Sequence, residues 1–452
     1  MALKTKRHTS IILLVFMLLM TACGNASESQ SGSEDPSSQD GNVAQKERVV
    51  TVYEDAKRAE SEEIKKKNAD FTAETGIKIE MNVVPGDGIE VYKKIDVDMI
   101  SGEKTDVIRL SNPILIDKYG SNGWLYPLDE FMTKDNYDSA KIYGEYLPQF
   151  ADGKTYVYPD QAGKWAVYYN KKIFDEAGVP YPSGDWTWDE YIETAKKLTN
   201  SEKGIYGSYM LDYDNYMYML ARQYNVSGYK EDGTSNYDDP AFKNALQFFG
   251  DLGTVHKIQP SWLEFKSKKL SWDGFMSGDY GMHFIGTWYT NQFKDKTTYP
   301  RDWEVGITQI PVPADGNGNN NFGIVAGYGI NKNAEHPEEA YTYIKWMAEN
   351  SYKYNGNLPA RVDLSDEDIK GLFQKTSDDL SGEITVEDLD KALISNNLGF
   401  VDEKITGPGS TEYSNIILQE SELYLVGQKS LEDTVKSIKT RADQAIKDAG
   451  GE

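Results

Sequence analysis

The sequence predicts an α/β fold built on a parallel sheet and large enough for more than one compact body. Three observations carry that reading. Strand and helix periodicities alternate over residues 48–110, a second strand–helix block fills residues 152–198, and 452 residues suffice for two or three domains.

The elements follow in order. Arg48–Tyr53 reads as a strand, Lys57–Glu74 as an amphipathic helix stopped by Gly76, and Ile77–Val83 as an alternating strand. Ile89–Ile100 is the next helix, stopped by Gly102, and Val107–Leu110 is a short buried strand. This β-α-β-α-β order calls for right-handed crossovers and parallel pairing. Leu115–Tyr119 and Leu128–Met132 add short helical pieces. A polar turn at Asp152-Gly153 leads into the strand Thr155–Tyr158, and a second β run covers Trp165–Tyr169. Asn170 opens the helix Lys171–Ala177, which Gly178 can stop in the left-handed region and Pro180 and Pro182 forbid from continuing. Thr187 and Glu190 form a capping box for Trp188–Leu198.

Beyond that block the pattern is helix-rich. Tyr213–Tyr224, Ala241–Val255 and Trp272–Met276 read as helices, the second with Asp239 as N-cap and Pro240 at its first position. Tyr280–Ile285 and Trp303–Ile310 read as strands, Pro311–Phe322 as a loop, and Gly323–Ile330 as an apolar strand. His336-Pro337 opens a helix through Ala348, and the remainder is mostly helical, ending with Leu431–Lys447. No internal repeat is visible.

Charge narrows the partners. The formal net charge is −24, and the acidic balance lies entirely beyond Met1–Ala22, which carries Lys4, Lys6 and Arg7 and no acid. Such a polyanion repels nucleic acid and anionic lipid alike, so no nucleic-acid partner is expected. The single cysteine, Cys23, excludes an intrachain disulfide. It follows a basic n-region and the apolar run Ile11–Met20, which is too short to span a bilayer but suits a signal-peptide core. Met20-Thr21-Ala22-Cys23 resembles a bacterial lipobox, with Met20 where an aliphatic is usual, so residues 1–22 are expected to be a lipoprotein signal peptide and Cys23 the lipidation site. An ordinary secretory signal with an incidental thiol is the plainer alternative. Residues 23–47 are polar and acidic, a disordered tether reaching about 25–30 Å on average. One acyl chain binds only marginally, so a stable anchor needs at least two, palmitate or similar. The expected location is the extracytoplasmic face of the cell membrane.

Several segments together carry a family resemblance. They are D-G-K-T-Y-V-Y-P from Asp152, A-V-Y-Y-N-K-K-I-F-D-E-A-G-V-P-Y-P from Ala166, and W-T-W-D-E-Y from Trp186. Phe275-Met276-Ser277-Gly278-Asp279-Tyr280-Gly281-Met282 follows, then Ile285-Gly286-Thr287-Trp288, Gly327-Tyr328-Gly329-Ile330-Asn331-Lys332 and Leu358-Pro359-Ala360-Arg361. In this order, behind a lipobox, they resemble the ABC-transporter extracellular solute-binding proteins of family 1, maltose-binding-protein-like carbohydrate binders. Gly281 stands where the family has alanine, and Thr287 where its G-P-W turn has proline. The resemblance implies a two-lobe periplasmic-binding-protein type II fold, discontinuous lobes joined by three hinge crossings. Lobe 1 would hold 48–160 and 327–356, lobe 2 161–326 and 357–452. It further implies a monomer that captures a sugar, of oligosaccharide size, between the lobes and delivers it to separate ABC permease subunits.

Enzyme motifs are scarce. G-x-S-x-G, Walker A and G-x-G-x-x-G are absent, and His8, His256, His283 and His336 show no metal-ligand spacing, so neither catalytic residues, nor a metal, nor a cofactor is expected. Asp315-x-Asn317-x-Asn319 resembles the start of a calcium loop, but Asn320 replaces its turn glycine and Ala326 its bidentate acid. Two alternatives stay open. A glycoside hydrolase needs only two facing carboxylates, and 72 acids make chance pairs unavoidable. A ferric-binding protein of the same fold would use paired tyrosines, although Tyr168 and Tyr169 point to opposite faces of a strand.

Sugar binding asks for flat apolar platforms under pyranose rings and planar polar groups for the hydroxyls. The family places a stacking aromatic at the turn holding Trp288 and another where Tyr213 and Tyr216 flank Asp214. Gln161 and Trp165 lie on the first crossing, Gly327 on the second and Arg361 on the third. Glu54 and Asn112 follow the first and third strands, where open sheets take ligands. Tyr216 and Trp165 suit a core equally well, and Glu54 a solvated loop.

Overall fold

β1 (Val49–Asp55), β2 (Lys78–Val84) and β3 (Val107–Leu110) are the first three strands. β4 (Val157–Asn170), β5 (Tyr206–Tyr209) and β6 (Tyr280–Gly286) follow, then β7 (Val305–Thr308), β8 (Asn320–Ile330) and β9 (Gly399–Asp402). They come from a computed structural model that describes residues 47–450 apart from 87, 211, 212, 319, 396 and 397. Cys23, the signal segment and the tether lie outside the described residues.

Among the described residues the strands join in the order β2-β1-β3-β8-β4-β6-β5, with β7 against β4 and β9 against β8. β1 pairs in parallel with β2 and β3, as the alternating periodicity requires. The two long strands β4 and β8 are antiparallel and run through both lobes. One lobe is built on β1–β3 with the far end of β8, the other on β5–β7 with the far end of β4.

Alternation along β1 fills both faces of the first lobe. Val50 and Val52 pack with Phe71, Tyr343 and Ile344, while Tyr53 packs on the opposite side with Ile95, Ile108 and Leu115. The second lobe centres on Trp165, Phe284 and Tyr216. A further cluster of Phe242, Ile417 and Ile438 ties the C-terminal helices Ser410–Leu425 and Leu431–Asp448 to the helix Pro240–Thr254. These clusters lie within Glu47–Glu452, which forms one compact unit.

Local signals act as the sequence requires. Gly76, Gly102 and Gly178 end their helices at φ 70°, 81° and 63°. Thr187 and Glu190 form both halves of the capping box.

Elsewhere tertiary contacts override the pattern. Lys57–Glu74 splits into Ala56–Ala59 and Glu62–Thr75, because Ser61 caps the second helix, its Oγ accepting from Ile64 N–H at 3.3 Å. Thr155–Tyr158 and Trp165–Tyr169 merge into β4, because β8 pairs along the stretch between them. Tyr213–Tyr224 becomes a 3-10 turn, Asp214–Met217, and a short helix, Met219–Gln223, and Trp272–Met276 gives way to a 3-10 turn at Gly274–Ser277. Asn320–Phe322 joins β8 rather than a loop, since β9 pairs with it.

Candidate functional site

Strand register locates the cleft. β3 ends with Leu110 opposite Gly327 of β8, and β9 ends with Asp402 opposite Gly323. The two strands stop short of each other along one edge of β8, leaving Ile324, Val325 and Ala326 between them. Those residues pair on their other edge with Gly163, Ala162 and Gln161 of β4. β6 ends with Gly286 opposite Trp165, and β1 ends level with β3. Strand ends of both lobes thus converge on one floor, the place where open α/β sheets take ligands. The third crossing completes it. Ala162 N–H donates to Leu358 O at 3.0 Å, and Asn357 Nδ2 donates to Gln161 Oε1 at 3.0 Å.

The second lobe contributes aromatic surface. Trp288 is half-buried at the end of β6, in a turn spanning Thr287–Tyr289. Glycine makes room for its ring: a Cβ on Gly163 would lie 3.0 Å from it, and a Cβ on Gly286 would overlap it. Trp165 is fully buried behind, edge-on to Trp288, Tyr213 and Tyr216. Its indole N–H donates to Glu403. Tyr216 is a core residue, donating its hydroxyl to Phe284 O at 2.5 Å and stacking on Phe249. Asp214 accepts from Lys404 Nζ at 2.7 Å and Ser414 Oγ at 2.6 Å. Burial alone would raise the Asp214 carboxyl, but Lys404, Ser414 and Tyr218 together outweigh it and hold it below the usual range.

The first lobe contributes paired charges. Glu54 is buried, not solvated, and accepts from Arg58 Nε at 2.8 Å. Arg109 donates to Asp160 at 3.5 Å and lies 5.9 Å from the Tyr328 ring. Burial disfavours the Arg58 charge, yet Glu54, with Tyr328 and Glu63, outweighs it and keeps the guanidinium ionised. Glu54, Arg58, Tyr92, Arg109 and Ser111 line a cavity of about 220 Å³ at these strand ends. Close by, burial and Arg58 lower the Lys67 ammonium below its ordinary value. Such guanidinium–carboxylate pairs present donors and acceptors in fixed planes.

A second cavity, of about 260 Å³, is lined from both lobes, by Asp117, Glu145 and Phe150 on one side and Phe400 and Asp402 on the other, with Val325 beneath. The lobes touch at its rim. Gly407 N–H donates to Asp117 Oδ2 at 3.2 Å, and Tyr146 meets Phe400 edge-on at 4.9 Å.

The expected residues therefore divide. Trp288 and Tyr213 are half-buried in the second lobe, Gln161 lies on the floor strand and Glu54 lines the first-lobe cavity, with Trp165 buried behind Trp288 and Asp214 held in an ion pair. Asn112 caps the helix Pro113–Ser121, accepting from Leu115 N–H at 3.1 Å. Gly327 serves close strand packing, since a Cβ there would stand 2.6 Å from Tyr158 O. Arg361 spends its fork on Asp363, at 2.9 and 2.8 Å, and is not brought to Trp288. Sequence reasoning passed over Arg58, Arg109, Asp160, Lys404 and Asn357. The strand-end rule could have found Arg58; no local pattern marks Lys404 as the partner of Asp214.

A profile of the family described as bacterial extracellular solute-binding protein matches residues 55–354. The chain belongs to this family. Among relatives of this solute-binding protein, a Brucella abortus protein named as a binding protein is 27% identical over 298 residues, covering 65% of this chain and 69% of that one. The arabinooligosaccharide-binding protein of Halalkalibacterium halodurans is 26% identical over 284 residues, covering 60% and 62%. An ABC substrate-binding protein of Listeria monocytogenes, solved with cycloalternan, shares the fold at TM-score 0.72 and 22% identity, covering 89% of this chain and 99% of that one. The two-lobe architecture of the solute-binding protein is thus that of its structural neighbours. The family consists of transport binding proteins rather than enzymes. Among the described residues no three His, Cys, Asp or Glu are grouped to hold a metal ion.

Proposed function

We propose that this solute-binding protein captures a carbohydrate, of oligosaccharide size, in the interlobe cleft and passes it to an ABC importer. The observations that support the reading are the half-buried Trp288 ring on its glycine shelf in the second lobe and the guanidinium–carboxylate pairs of Arg58 and Arg109 at the strand ends of the first. A ring suits pyranose C–H faces, and planar pairs suit hydroxyls. The sugars printed for the Listeria and Halalkalibacterium relatives support the same class. The ligand-binding set we propose is Trp288, Tyr213, Gln161, Arg58 and Arg109. Asp214, Trp165 and Glu54 hold these groups in place from behind.

The lobes divide at 160/161, 326/327 and 356/357. Supporting this, one pair of apolar clusters draws mainly on residues 50–158 and 328–348 and the other on 165–322 and 358–446. The protein acts as a monomer, leashed to the membrane through a lipid on Cys23 and the acidic tether. Among the described residues no helix is long and apolar enough to cross a membrane.

A thermal-shift screen of the soluble body against mono- and oligosaccharides tests the ligand class. A sugar at a hundredfold over its dissociation constant stabilises by about 2.7 kcal/mol. A panel in which no sugar raises the melting temperature contradicts the reading. Cys23→Ser moves the protein from membranes to the medium if the anchor is right; identical fractionation of both forms removes it.

A further inference from the structure

Both aromatic rings of the proposed binding set rest on one buried indole. Trp165 meets Trp288 edge-on with centroids 5.7 Å apart, and meets Tyr213 edge-on at 6.5 Å. On its other sides it packs against Tyr216, Phe284 and Phe322. Apolar contact is non-directional, so these rings fill the space around the indole without choosing its rotation. A hydrogen bond is directional and does choose it. The polar group of the ring, its Nε1–H, donates to Glu403 Oε2.

Glu403 is itself held in place. It follows β9, and its N–H donates to Gly323 O of β8 at 2.9 Å. From the same strand Asn321 Nδ2 donates to Trp165 O at 3.1 Å, so β8 holds both partners of the indole bond. The second carboxylate oxygen, Oε1, faces Lys404 Nζ at 3.9 Å, and that ammonium reaches Asp214 Oδ1 at 2.7 Å. Asp214 also accepts from Ser414 Oγ at 2.6 Å and is the neighbour of Tyr213 in the chain. Glu403 and Lys404 thus reach the supports of both rings, one through Trp165 and the other through Asp214. A carboxylate is costly to bury, so an acid that merely filled space here would be a poor solution.

We propose that Glu403 is a positioning residue for ligand binding: through the Trp165 N–H it sets the angle at which the Trp288 and Tyr213 rings are presented. It touches no sugar itself. The inference rests on the reading of those rings as sugar-binding surface and adds what holds them. Glu403 stands 238 positions along the chain from Trp165, so the segment after β9 governs rings carried by β4, β6 and the turn at Tyr213. Without an acceptor for its N–H the indole can turn, and rings packed on it lose the fixed geometry that a flat ligand needs.

Two experiments on Glu47–Glu452, which forms one compact unit, test this. The first needs no sugar. Isotope-labelled tryptophan gives an indole N–H resonance for each of the nine tryptophans, and Trp165→Phe and Trp288→Phe identify the two that matter. Glu403→Leu should shift both, because one ring loses its acceptor and the other its fixed neighbour. Glu403→Gln keeps an acceptor oxygen and should return both close to their wild-type positions. An unmoved Trp288 resonance in Glu403→Leu overturns the proposal, as does a glutamine variant displaced as far as the leucine one.

The second experiment titrates maltotriose, arabinotriose and cycloalternan. For a sugar that binds, Glu403→Leu should weaken affinity about three- to tenfold, and Glu403→Gln less than about twofold. In a Trp165→Phe background, which has no N–H to hold, Glu403→Leu should cost nothing further. Equal losses in both backgrounds overturn the proposal, since Glu403 would then act by another route. Circular dichroism confirms folding. If Glu403→Leu does not fold, Trp165→Phe removes the same bond from the other side and should itself shift the Trp288 resonance. If no sugar binds, the reading of the rings fails and the resonances alone decide whether Glu403 sets them. A sugar binder indifferent to Glu403→Leu fails this inference alone.

Discussion

Trp288 stands edge-on to Trp165, ring centroids 5.7 Å apart and planes at 88°, so that the buried indole fixes the orientation of the half-buried one. Trp165 is in turn fixed by its hydrogen bond to Glu403, a residue far along the chain. A rigid platform loses little freedom when a ligand lands on it, which favours binding.

Removal of the platform is the first prediction. Trp288→Ala should weaken sugar affinity by about 1–3 kcal/mol, ten- to a hundredfold, in a calorimetric titration. The melting temperature of the unliganded protein should change little, because the ring is only half-buried. Unchanged affinity would move the sugar elsewhere.

The glycine shelf makes the second. A Cβ on Gly286 would overlap the Trp288 ring, so Gly286→Ala must displace it. Overpacking of this kind costs about 1–3 kcal/mol in denaturant titrations, and the displaced platform should lower sugar affinity alongside. Full affinity in a correctly folded Gly286→Ala would show that the ring position is not what the ligand reads.

Arginines separate the lips from the periphery. Arg361 is already satisfied by Asp363, whereas Arg109 lies at the strand ends of the first lobe beside Asp160. Arg361→Ala should alter affinity less than threefold, as expected of a partly exposed pair worth under about 1 kcal/mol. Arg109→Ala should cost affinity and also stability, since it leaves the buried Asp160 unpaired. Arg109→Lys separates the two, restoring charge without the planar fork. A titration in which Arg361→Ala is the more damaging would reverse the assignment.

Glu403 gives stability a pH dependence. Burial pushes its carboxyl up to about 7, against the opposing pull of Lys404 and the Trp165 hydrogen bond. In the unfolded chain it titrates near 4.3. The folded state therefore binds the proton more tightly, so its contribution is full below about pH 4 and fades as the pH rises through about 7. Glu403→Gln retains an acceptor for Trp165 and should flatten the fall in melting temperature between pH 5.5 and 8. An identical slope in both proteins would mean that the carboxyl is ionised throughout.

The sequence made the scaffold legible where forces are local. The left-handed stops at Gly76, Gly102 and Gly178, the Thr187 capping box and the Asp239-Pro240 helix start stand where short-range chemistry puts them. The ordered motifs led to the two-lobe fold. What escaped was set by long-range pairing. Tyr213–Tyr224 reads as a helix until Lys404 engages Asp214. Asn320–Phe322 reads as loop until β9 arrives beside it. Arg361 looks like a ligand residue until Asp363, two positions on, occupies its fork. Arg109 looks like an ordinary strand residue until the sheet sets it against Asp160.

Scattering with and without saturating sugar, using the ligand found by thermal shift, tests the central claim most directly. A sugar that touches both lips favours the closed form, so the account predicts one-to-one binding with a smaller radius of gyration than the free protein, and the same changes in Trp288→Ala only at about ten- to a hundredfold higher sugar concentration. A sugar that binds tightly while the radius stays the same, or a panel in which none binds, would contradict capture between the lobes.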